Sequence, residues 1–293
     1  AMDYGLDFDF SRSFFEQFHE LKLKVPHMSV FVISGSNENS DFTNCTGYIK
    51  NCYLISEADY SEDCYFSNRI YHSKDCSDCS NVYSCELCYQ CIDCEGGHQL
   101  FYSQNCKQCR DSYFLFDCQS CSDCIGCINQ RQKKYMIFNV QYTKEEYEKH
   151  KSAFKLGSRS GVLALQKMCE EFFVRSPHRA VYQENNDNCT GDHLYNSKNS
   201  ENCFDCKDLE DCYNCVRVAG GVKSAMNYAA WGFKAELMYM CGACGDNAYN
   251  LRFCSNCLTN ISNATYSYLC TGSSDIFGCV GLKKKKYCIL NKQ

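Results

Sequence analysis

Cysteine is the residue type with which this chain could do the most chemistry. The chain has 28 cysteines in 293 residues, and thiolates bind soft metals, exchange disulfides and act as nucleophiles. The stretch CSDCSNVYSCELCYQCIDC, residues 76–94, contains six of them. Three roles are therefore open for the sulfur: metal ligands, disulfides, or a buried packing role.

Two groups of four cysteines have the spacing of a zinc site. Each group reads C-x2-C-x8-C-x2-C, and four thiolates on two such pairs are the usual ligand set of tetrahedral zinc. The eight candidate ligands are Cys76, Cys79, Cys88, Cys91, Cys106, Cys109, Cys118 and Cys121. Similar pairs occur later, at Cys203, Cys206, Cys212 and Cys215 and at Cys241, Cys244, Cys254 and Cys257.

A period of three residues underlies these spacings. Fourteen cysteines share one phase of it: Cys52, Cys64, Cys76, Cys79, Cys85, Cys88, Cys91, Cys94, Cys106, Cys109, Cys118, Cys121, Cys124 and Cys127. Neither an α-helix nor an ordinary strand has this period, whereas a solenoid coil with four inward positions does. A three-residue period places cysteines in CxxC pairs whether or not a metal is bound. It therefore favours cysteine as a small side chain that fills a tight interior.

A cut every twelve residues aligns like residues in columns. From residue 52 the rows read CYLISEADYSED, CYFSNRIYHSKD, CSDCSNVYSCEL and CYQCIDCEGGHQ. Such a stack is typical of a β-solenoid, in which neighbouring coils pair about 4.8 Å apart. An aromatic column runs beside the first cysteine column, through Tyr53, Tyr65, Tyr89, Phe101 and Tyr113. We expect this apolar stripe to be covered by a helix of the chain, by the second repeat, by a partner protein or by self-association.

The same register returns in the second half of the chain. HLYNSKNSENCFDCKDLEDCYNC (193–215) matches RIYHSKDCSDCSNVYSCELCYQC (69–91). TYSYLCTGSSDIFGCVGLKKKKYCILN (265–291) matches YFLFDCQSCSDCIGCINQRQKKYMIFN (113–139). The chain therefore contains two homologous copies, and both close on a basic, aromatic and aliphatic segment that suits the end of a solenoid.

The segments outside the copies have the pattern of helices. Residues 11–26 have Ser13 as an N-cap before an apolar run, and residues 143–157 open on a capping box of Thr143 and Glu146. A third amphipathic stretch spans 160–177. The predicted organisation is an N-terminal helix and strand (1–39), copy one (40–141), a helical hairpin (142–180) and copy two (181–293).

The twelve-residue period, with cysteine and small residues at every third position, resembles the β-solenoids of beetle antifreeze proteins. The resemblance covers the period alone, because the Thr-x-Thr face that binds ice in those proteins has no counterpart here. Their disulfides join residues six apart across a coil, and in the twelve-residue frame only Cys79 with Cys85 and Cys88 with Cys94 occupy the required pair of positions. A disulfide framework is therefore the least favoured role, because thiols stay free in a reducing cytosol.

Four phrases resemble an uncharacterised cysteine-rich family from genomes of uncultivated bacteria: YGLDFDFSRSFFEQFHELKLKVP, ELCYQCIDC, DSYFLFDC and KKYMIFNVQYTKEEYEK. The likeness runs the length of the chain. Members begin with a zinc-ribbon-like segment and often continue NKQY(S/T)KEEY where this chain ends at Gln293. These departures, and the opening AMDYG, suggest an N-terminus and a C-terminus that have been shortened. The resemblance implies no particular activity.

Other chemistry has little support in the residues. The seven histidines are scattered, and no phosphate-binding loop, HExxH motif or nucleophile elbow is present. We expect no catalytic residues and no cofactor, with zinc as the alternative. The net charge of −5 argues against nucleic acid, and Lys283–Lys286 is expected to be a solvated end of the solenoid. No apolar run reaches the eighteen residues of a membrane span.

Together these patterns predict a mainly β protein, a narrow β-solenoid of twelve-residue coils with inward columns of Cys, Ser and Ala type. Two homologous copies carry an N-terminal helix and a helical hairpin insert. The predicted function is a non-enzymatic scaffold or binding module with a core of free thiols, located in the cytoplasm. The alternative is a structural zinc protein with several sites, associated with nucleic acid.

Overall fold

The computed structural model describes residues 1–211 and 260–293, the backbone of 213–216, 219–223 and 227–229, and the isolated positions 240, 242, 252 and 253. The chain is mainly β, with 38% strand and 16% helix. It forms two compact units. The central unit is Met28–His178, and the terminal unit combines Ala1–His27 with Arg179–Gln293. Within the described residues, no helix has the length and apolar character needed to cross a membrane.

The described part of the chain contains three α-helices, preceded by a short 3-10 turn, Met2–Tyr4: α1 Phe14–Lys24, α2 Lys144–Ala153 and α3 Arg159–Val174. The capping box before α2 is confirmed, because the Thr143 hydroxyl and the Glu146 carboxylate each bond to the other residue's backbone N–H. Ser13 is the N-cap of α1, but its hydroxyl makes no capping bond. Helix α2 ends at Ala153, four residues short of the end of the predicted segment 143–157, and Phe154 is its C-cap.

The central unit is built from short parallel strands. They are β1 Asn44–Gly47, β2 Ser56–Asp59, β3 Asn68–Tyr71, β4 Ser80–Tyr83, β5 His98–Phe101, β6 Arg110–Tyr113, β7 Ser122–Ile125 and β8 Lys134–Ile137. Strands β1 to β4 form one sheet and β5 to β8 another, which a short antiparallel strand, β9 Val140–Gln141, extends.

From Glu38 onward, parallel pairing in this unit joins residues twelve positions apart. Asn68 pairs with Ser80 within a sheet, and Tyr53 pairs with Tyr65 between the named strands. The twelve-residue register also continues from the first sheet toward the second, where Glu86 pairs with His98. We call each twelve-residue segment that pairs in this way a row. The period read from the sequence is therefore the pairing period of the backbone.

The chain turns within a row through left-handed residues. From Asn51 onward the backbone has a positive φ at every third residue, for example 51° at Leu54, 53° at Glu57 and 51° at Tyr60. The next residue is the one whose side chain is buried, as Cys52 and Ile55 show. Each such non-glycine residue costs about 1–2 kcal/mol. Pairing and burial between rows must offset this cost, so a single row has no stability of its own.

The interior confirms the predicted burial of the fourteen cysteines, since none is more than 3% exposed. Serines take the same inward positions and are also buried: Ser61, Ser67, Ser73, Ser103 and Ser112. Sulfur and hydroxyl groups therefore share one continuous interior with aliphatic residues such as Ile70 and Leu100.

The terminal unit has longer strands at its start and three short ones at its end. They are β10 Gln183–Glu184, β11 Asp187–Tyr195, β12 Lys198–Glu210, β13 Tyr213–Val216, β14 Ala219–Lys223, β15 Asn227–Ala229, β16 Ser262–Thr265, β17 Ser274–Phe277 and β18 Lys286–Ile289. The twelve-residue register holds from β16 to β18. It changes from eleven to twelve between Cys189 and Gly191.

Each unit carries its own helical cover. In the central unit α2 and α3 bury Tyr147, Leu165 and Cys169 against Phe114 and Ile125. In the terminal unit α1 buries Leu21, with Val25 just beyond its end, against Val280 and Leu290. The first helix of the chain therefore packs on the last strands of the chain.

A glycine lies under the helix in both units. Gly126, with φ 62°, has no room for a Cβ, which would lie 2.7 Å from Phe138 and 3.0 Å from the Cys169 sulfur. Gly278, with φ 60°, would place a Cβ 2.6 Å from Phe14. These two positions correspond in the sequence match between the copies, so the same close approach of a helix occurs twice.

Candidate functional site

The eight candidate zinc ligands all lie in the interior of the central unit. Cys76, Cys79, Cys88, Cys91, Cys106, Cys109, Cys118 and Cys121 are each at most 3% exposed and are free thiols. No disulfide links the cysteines that the structure describes. Of the later predicted ligands, Cys203 and Cys206 are buried, whereas Cys212, the side chain of Cys215, Cys241, Cys244, Cys254 and Cys257 lie outside the described residues.

Hydrogen bonds to the backbone explain why cysteine and serine alternate at these positions. The Cys85 thiol donates to the carbonyl oxygens of Tyr83, at 3.4 Å, and Cys94, at 3.3 Å. The backbone N–H of Gly97, twelve residues on, donates to the same sulfur at 3.3 Å. The Cys85 side chain thus supplies hydrogen-bond partners for backbone carbonyl and N–H groups at a point where the row turns.

Serine makes the same set of contacts. The Ser61 hydroxyl donates to the carbonyl oxygens of Asp59 and Ile70, at 3.1 and 3.2 Å, and accepts from the N–H of Ser73 at 3.3 Å. Sequence reasoning treated cysteine as a small apolar filler and missed this bonding role. The serines that replace cysteine within the same columns were the available signal.

Neighbouring thiols also affect one another's pKa from row to row. Cys76 interacts in this way with Cys79 and Cys88, and Cys91 interacts with the same two thiols. We call these four cysteines, the first predicted zinc set, the ring, although the interactions continue beyond it to Cys64 and Cys94. In the second set they run from Cys106 to Cys109, on to Cys121 and then to Cys118.

Proximity of thiols is not yet a ligand geometry. Across residues 1–211 and 260–293 and the other described positions, no group of three or more His, Cys, Asp or Glu side chains is arranged to hold a metal ion. The Cys76 and Cys91 thiols instead donate to backbone carbonyl oxygens, at 3.2 Å to Lys74 and 3.3 Å to Leu100. A metal ion in the ring would have to replace these bonds.

Burial keeps several interior thiols protonated at neutral pH. It raises the pKa of Cys169 and of Cys279 to about 12, and that of Cys270 to about 11. Cys52 differs, because its interaction with the neighbouring Cys64 thiol lowers its pKa to about 7. Since the thiolate is the reactive form, thiols with raised pKa values are poor nucleophiles.

The predicted aromatic column is partly covered and partly open. Tyr113 packs against the helical hairpin, and the Lys151 ammonium lies 5.7 Å from its ring centroid. Phe101 stacks on Tyr113 at 4.9 Å. At the other end of the column, Tyr53 and Tyr65 remain 39% and 40% exposed.

A second apolar column, which the sequence reasoning missed, flanks the open end. Phe42, Leu54 and Phe66 follow one another at twelve-residue steps. Each has a left-handed φ near 50°, and each side chain is exposed. Phe42 is 73% exposed and Phe66 is 55% exposed. The rings of Phe42 and Phe66 each contact Tyr53, at 5.4 and 5.9 Å. We call Phe42, Tyr53, Leu54, Tyr65 and Phe66 the apolar patch.

A different column of aromatic rings lies at Tyr48, Tyr60 and His72. Their rings stack nearly parallel, with centroids 4.9 Å apart for the first pair and 5.0 Å for the second. Here each ring lies flat against the next, so the ring faces within this column contact one another and are not open to a partner. Contacts within the apolar patch are edge-on instead and leave ring faces open.

No protein-family model matches the chain, and no curated protein is similar to it.

Proposed function

We propose that the protein is a non-enzymatic binding module, a β-solenoid whose apolar patch on the central unit holds a protein partner. The rows provide a rigid support, because each one pairs with its neighbours on several sides. The free thiols fill and bond the interior, and free thiols suit a reducing compartment such as the cytoplasm. The cysteine-rich family resemblance fits this repeat organisation.

The single observation that carries the proposal is the cluster of exposed large apolar side chains at the patch. Solitary exposed apolar residues are ordinary, but contiguous ones on a rigid surface mark interaction sites. Phe42, Leu54 and Phe66 lie on three consecutive rows, and two tyrosines fill the space beside them. Aromatic residues of this kind are the usual anchors of protein interfaces.

Selection from a displayed peptide library against the full chain tests this function. The patch variant Phe42→Asn/Leu54→Asn/Phe66→Asn removes the apolar surface, and asparagine accepts the left-handed backbone of these positions. The matched control is Tyr48→Asn/Tyr60→Asn, which makes the same change in the self-stacked column. We expect selected peptides to bind the wild type and the control but to lose at least about tenfold on the patch variant. Equal binding to all three proteins would refute the proposal.

Structural metal binding is the second candidate function. The observation that favours it is that Cys76, Cys79, Cys88 and Cys91, the four residues that the spacing predicts as ligands, are buried neighbours whose thiols interact. Zinc would displace the thiol protons and the bonds to backbone carbonyls. The zinc content of protein purified under reducing conditions tests this function.

A further inference from the structure

We propose that the partner segment held by the apolar patch is an amphipathic α-helix that carries a lysine beside its apolar face. This inference rests on the proposed function and names the kind of partner. Helices already cover the same column of residues elsewhere in the molecule.

The patch is the open beginning of a column whose other end is covered by helices. Phe42, Leu54 and Phe66 continue at twelve-residue steps through Asp78 and Gln90 to the left-handed residues Tyr102, Phe114, Gly126 and Phe138. Tyr102, Phe114 and Phe138 pack in the cluster formed by the hairpin. The ring of Phe138 also contacts Phe172 of α3 at 5.5 Å. One column therefore has a helix-covered end and an uncovered end.

The terminal unit repeats this arrangement with an unrelated helix. Tyr266, Gly278 and Leu290 correspond to Phe114, Gly126 and Phe138 in the match between the copies, and all have positive φ. Helix α1 covers them. The ring of Phe14 lies 5.2 Å from that of Tyr266 and 4.5 Å from that of Phe277. Two helices of different sequence thus use the same column as their docking surface.

In each unit one of the covering helices also places a lysine over a tyrosine. The Lys22 ammonium of α1 lies 4.1 Å from the Tyr268 ring centroid, and Lys151 of α2 lies 5.7 Å from that of Tyr113. Contacts of this kind are worth about 0.5–1 kcal/mol at exposed sites. Tyr53 and Tyr65 belong to the column of Tyr113 and offer the contact that Lys151 makes, whereas Tyr268 corresponds to Phe116 in the match between the copies.

Charge at the two ends of the patch favours a basic helix. Asp41 precedes Phe42 in the first row, and Asp78 follows Phe66 in the column. Both aspartates are exposed. Asp78 and Gln90 also interrupt the apolar column, which separates the patch from the part that the hairpin covers. A helix with apolar residues at i, i+3/i+4 and i+7 and a lysine at its edge complements this surface.

The test uses helix α1 itself as the probe, added in trans to the full chain. A fluorescein-labelled peptide of residues 11–27, SRSFFEQFHELKLKVPH, is titrated with the wild type, the patch variant and the Tyr48→Asn/Tyr60→Asn control, and anisotropy is measured. A second peptide with His19→Pro keeps Phe14, Phe18 and Leu21 but breaks the helix at an exposed position. A protein with Tyr266→Asn reports exchange of the peptide with the resident α1, because Tyr266 contacts Phe14.

We expect saturable binding to the wild type and to the control, with an increase in helical circular dichroism on binding. The patch variant and the His19→Pro peptide should each lose at least about tenfold in affinity. Equal affinity of the two peptides would overturn the helix inference, while a peptide selected from the library would still support the binding function. Dependence on Tyr266 alone would overturn it as well, because the probe would then only exchange with α1. Dimerisation of the wild type that is abolished in the patch variant would also overturn the helix inference, because a second copy of the chain would then occupy the patch.

Discussion

Asn139 and Asn291, which correspond in the two copies, close the last row of their units in the same way. The Asn139 carboxamide oxygen accepts the N–H of Ile128 at 3.0 Å, and its nitrogen donates to the carbonyl of the same residue at 3.1 Å. Asn291 does the same with Val280, at 2.8 and 2.7 Å. Both asparagines have φ 63°. Each side chain takes the place of the peptide group that a further row would supply.

Removal of this side chain should destabilise the end of each unit. Asn291→Gly keeps a residue that accepts positive φ but leaves the N–H and carbonyl of Val280 without the carboxamide. We expect a loss of about 1–3 kcal/mol in the free energy of unfolding, because these groups are buried. Asn139→Gly should cost less, because Asn139 is only half-buried. Chemical denaturation measures both, and equal stability of Asn291→Gly and wild type would contradict the capping role.

The glycines beneath the helices should tolerate no side chain. Gly278→Ala places a methyl group against Phe14, and Gly126→Ala places one against Phe138 and Cys169. Gly96→Ala is the matched control, because Gly96 has φ 64° but its Cβ would meet only Gln108 at 3.4 Å. The control should lose about 1 kcal/mol from backbone strain. The other two should lose about 1–3 kcal/mol more.

Hydrogen exchange locates the effect of these glycine substitutions. Gly278→Ala should reduce protection in α1 and Gly126→Ala in α3, while Gly96→Ala leaves both helices protected. Unchanged protection of α1 in Gly278→Ala would show that the close approach of Phe14 is not needed for docking.

Serine should replace an interior cysteine better than alanine does. At Cys85, serine can still donate to the carbonyls of Tyr83 and Cys94 and accept from Gly97, as Ser61 does in its own row. We expect Cys85→Ser to stay within about 1 kcal/mol of wild type and Cys85→Ala to lose about 1–3 kcal/mol. The exposed Cys45 is the control, since Cys45→Ala should have no effect. A more stable alanine than serine variant at residue 85 would indicate packing alone.

Metal content separates the two candidate functions. If the thiols serve packing and bonding, protein purified under reducing conditions should contain only substoichiometric zinc, and a chelator should leave its circular dichroism unchanged. Zinc bound in stoichiometric amount, and lost in Cys76→Ser/Cys91→Ser, would instead establish the ring as a ligand set. The pair Cys45→Ser/Cys189→Ser serves as the control, because these two cysteines lie outside the buried interior.

Alkaline pH should unfold the protein through its buried thiols. Burial raises the pKa of Cys169 from 9.0 to about 12. The stabilising effect of keeping this thiol protonated is therefore complete below about pH 9 and is lost as the pH rises toward 12. The expected slope is up to about 1.4 kcal/mol per pH unit for one thiol. Thermal unfolding between pH 8 and 10.5 measures it, and Cys169→Ala should show a smaller loss over this range than the wild type.

The three-residue phase of the cysteines was sufficient to predict their burial, because a helix or an ordinary strand cannot keep that period on one side, whereas a coil with an inward position at every third residue can. The mainly β class and the capping box at Thr143 were also predictable, since both depend on local pattern. The left-handed turns could not be predicted from the sequence. Asn51 and Asp63 accept that conformation readily, but Leu54, Tyr60 and Phe66 adopt it too, and nothing in those residue types indicates it.

Contacts between distant parts of the chain were beyond the sequence. Which helix covers which rows depends on shape, and Gly278 accommodates Phe14 from the opposite end of the chain. The open apolar patch was only half predicted. Tyr53 and Tyr65 belong to a column that was identified, whereas Phe42 and Phe66 required knowledge of how each row turns.

The regular placement of left-handed residues also sets the step in which such a chain can lengthen during evolution. One extra residue would turn polar side chains inward and thiols outward, and three would leave one row longer than its neighbours. Twelve would supply a complete additional layer with every backbone partner in place. We therefore expect a duplicated segment such as residues 64–75 to be accepted where any shorter insertion within the same rows is not.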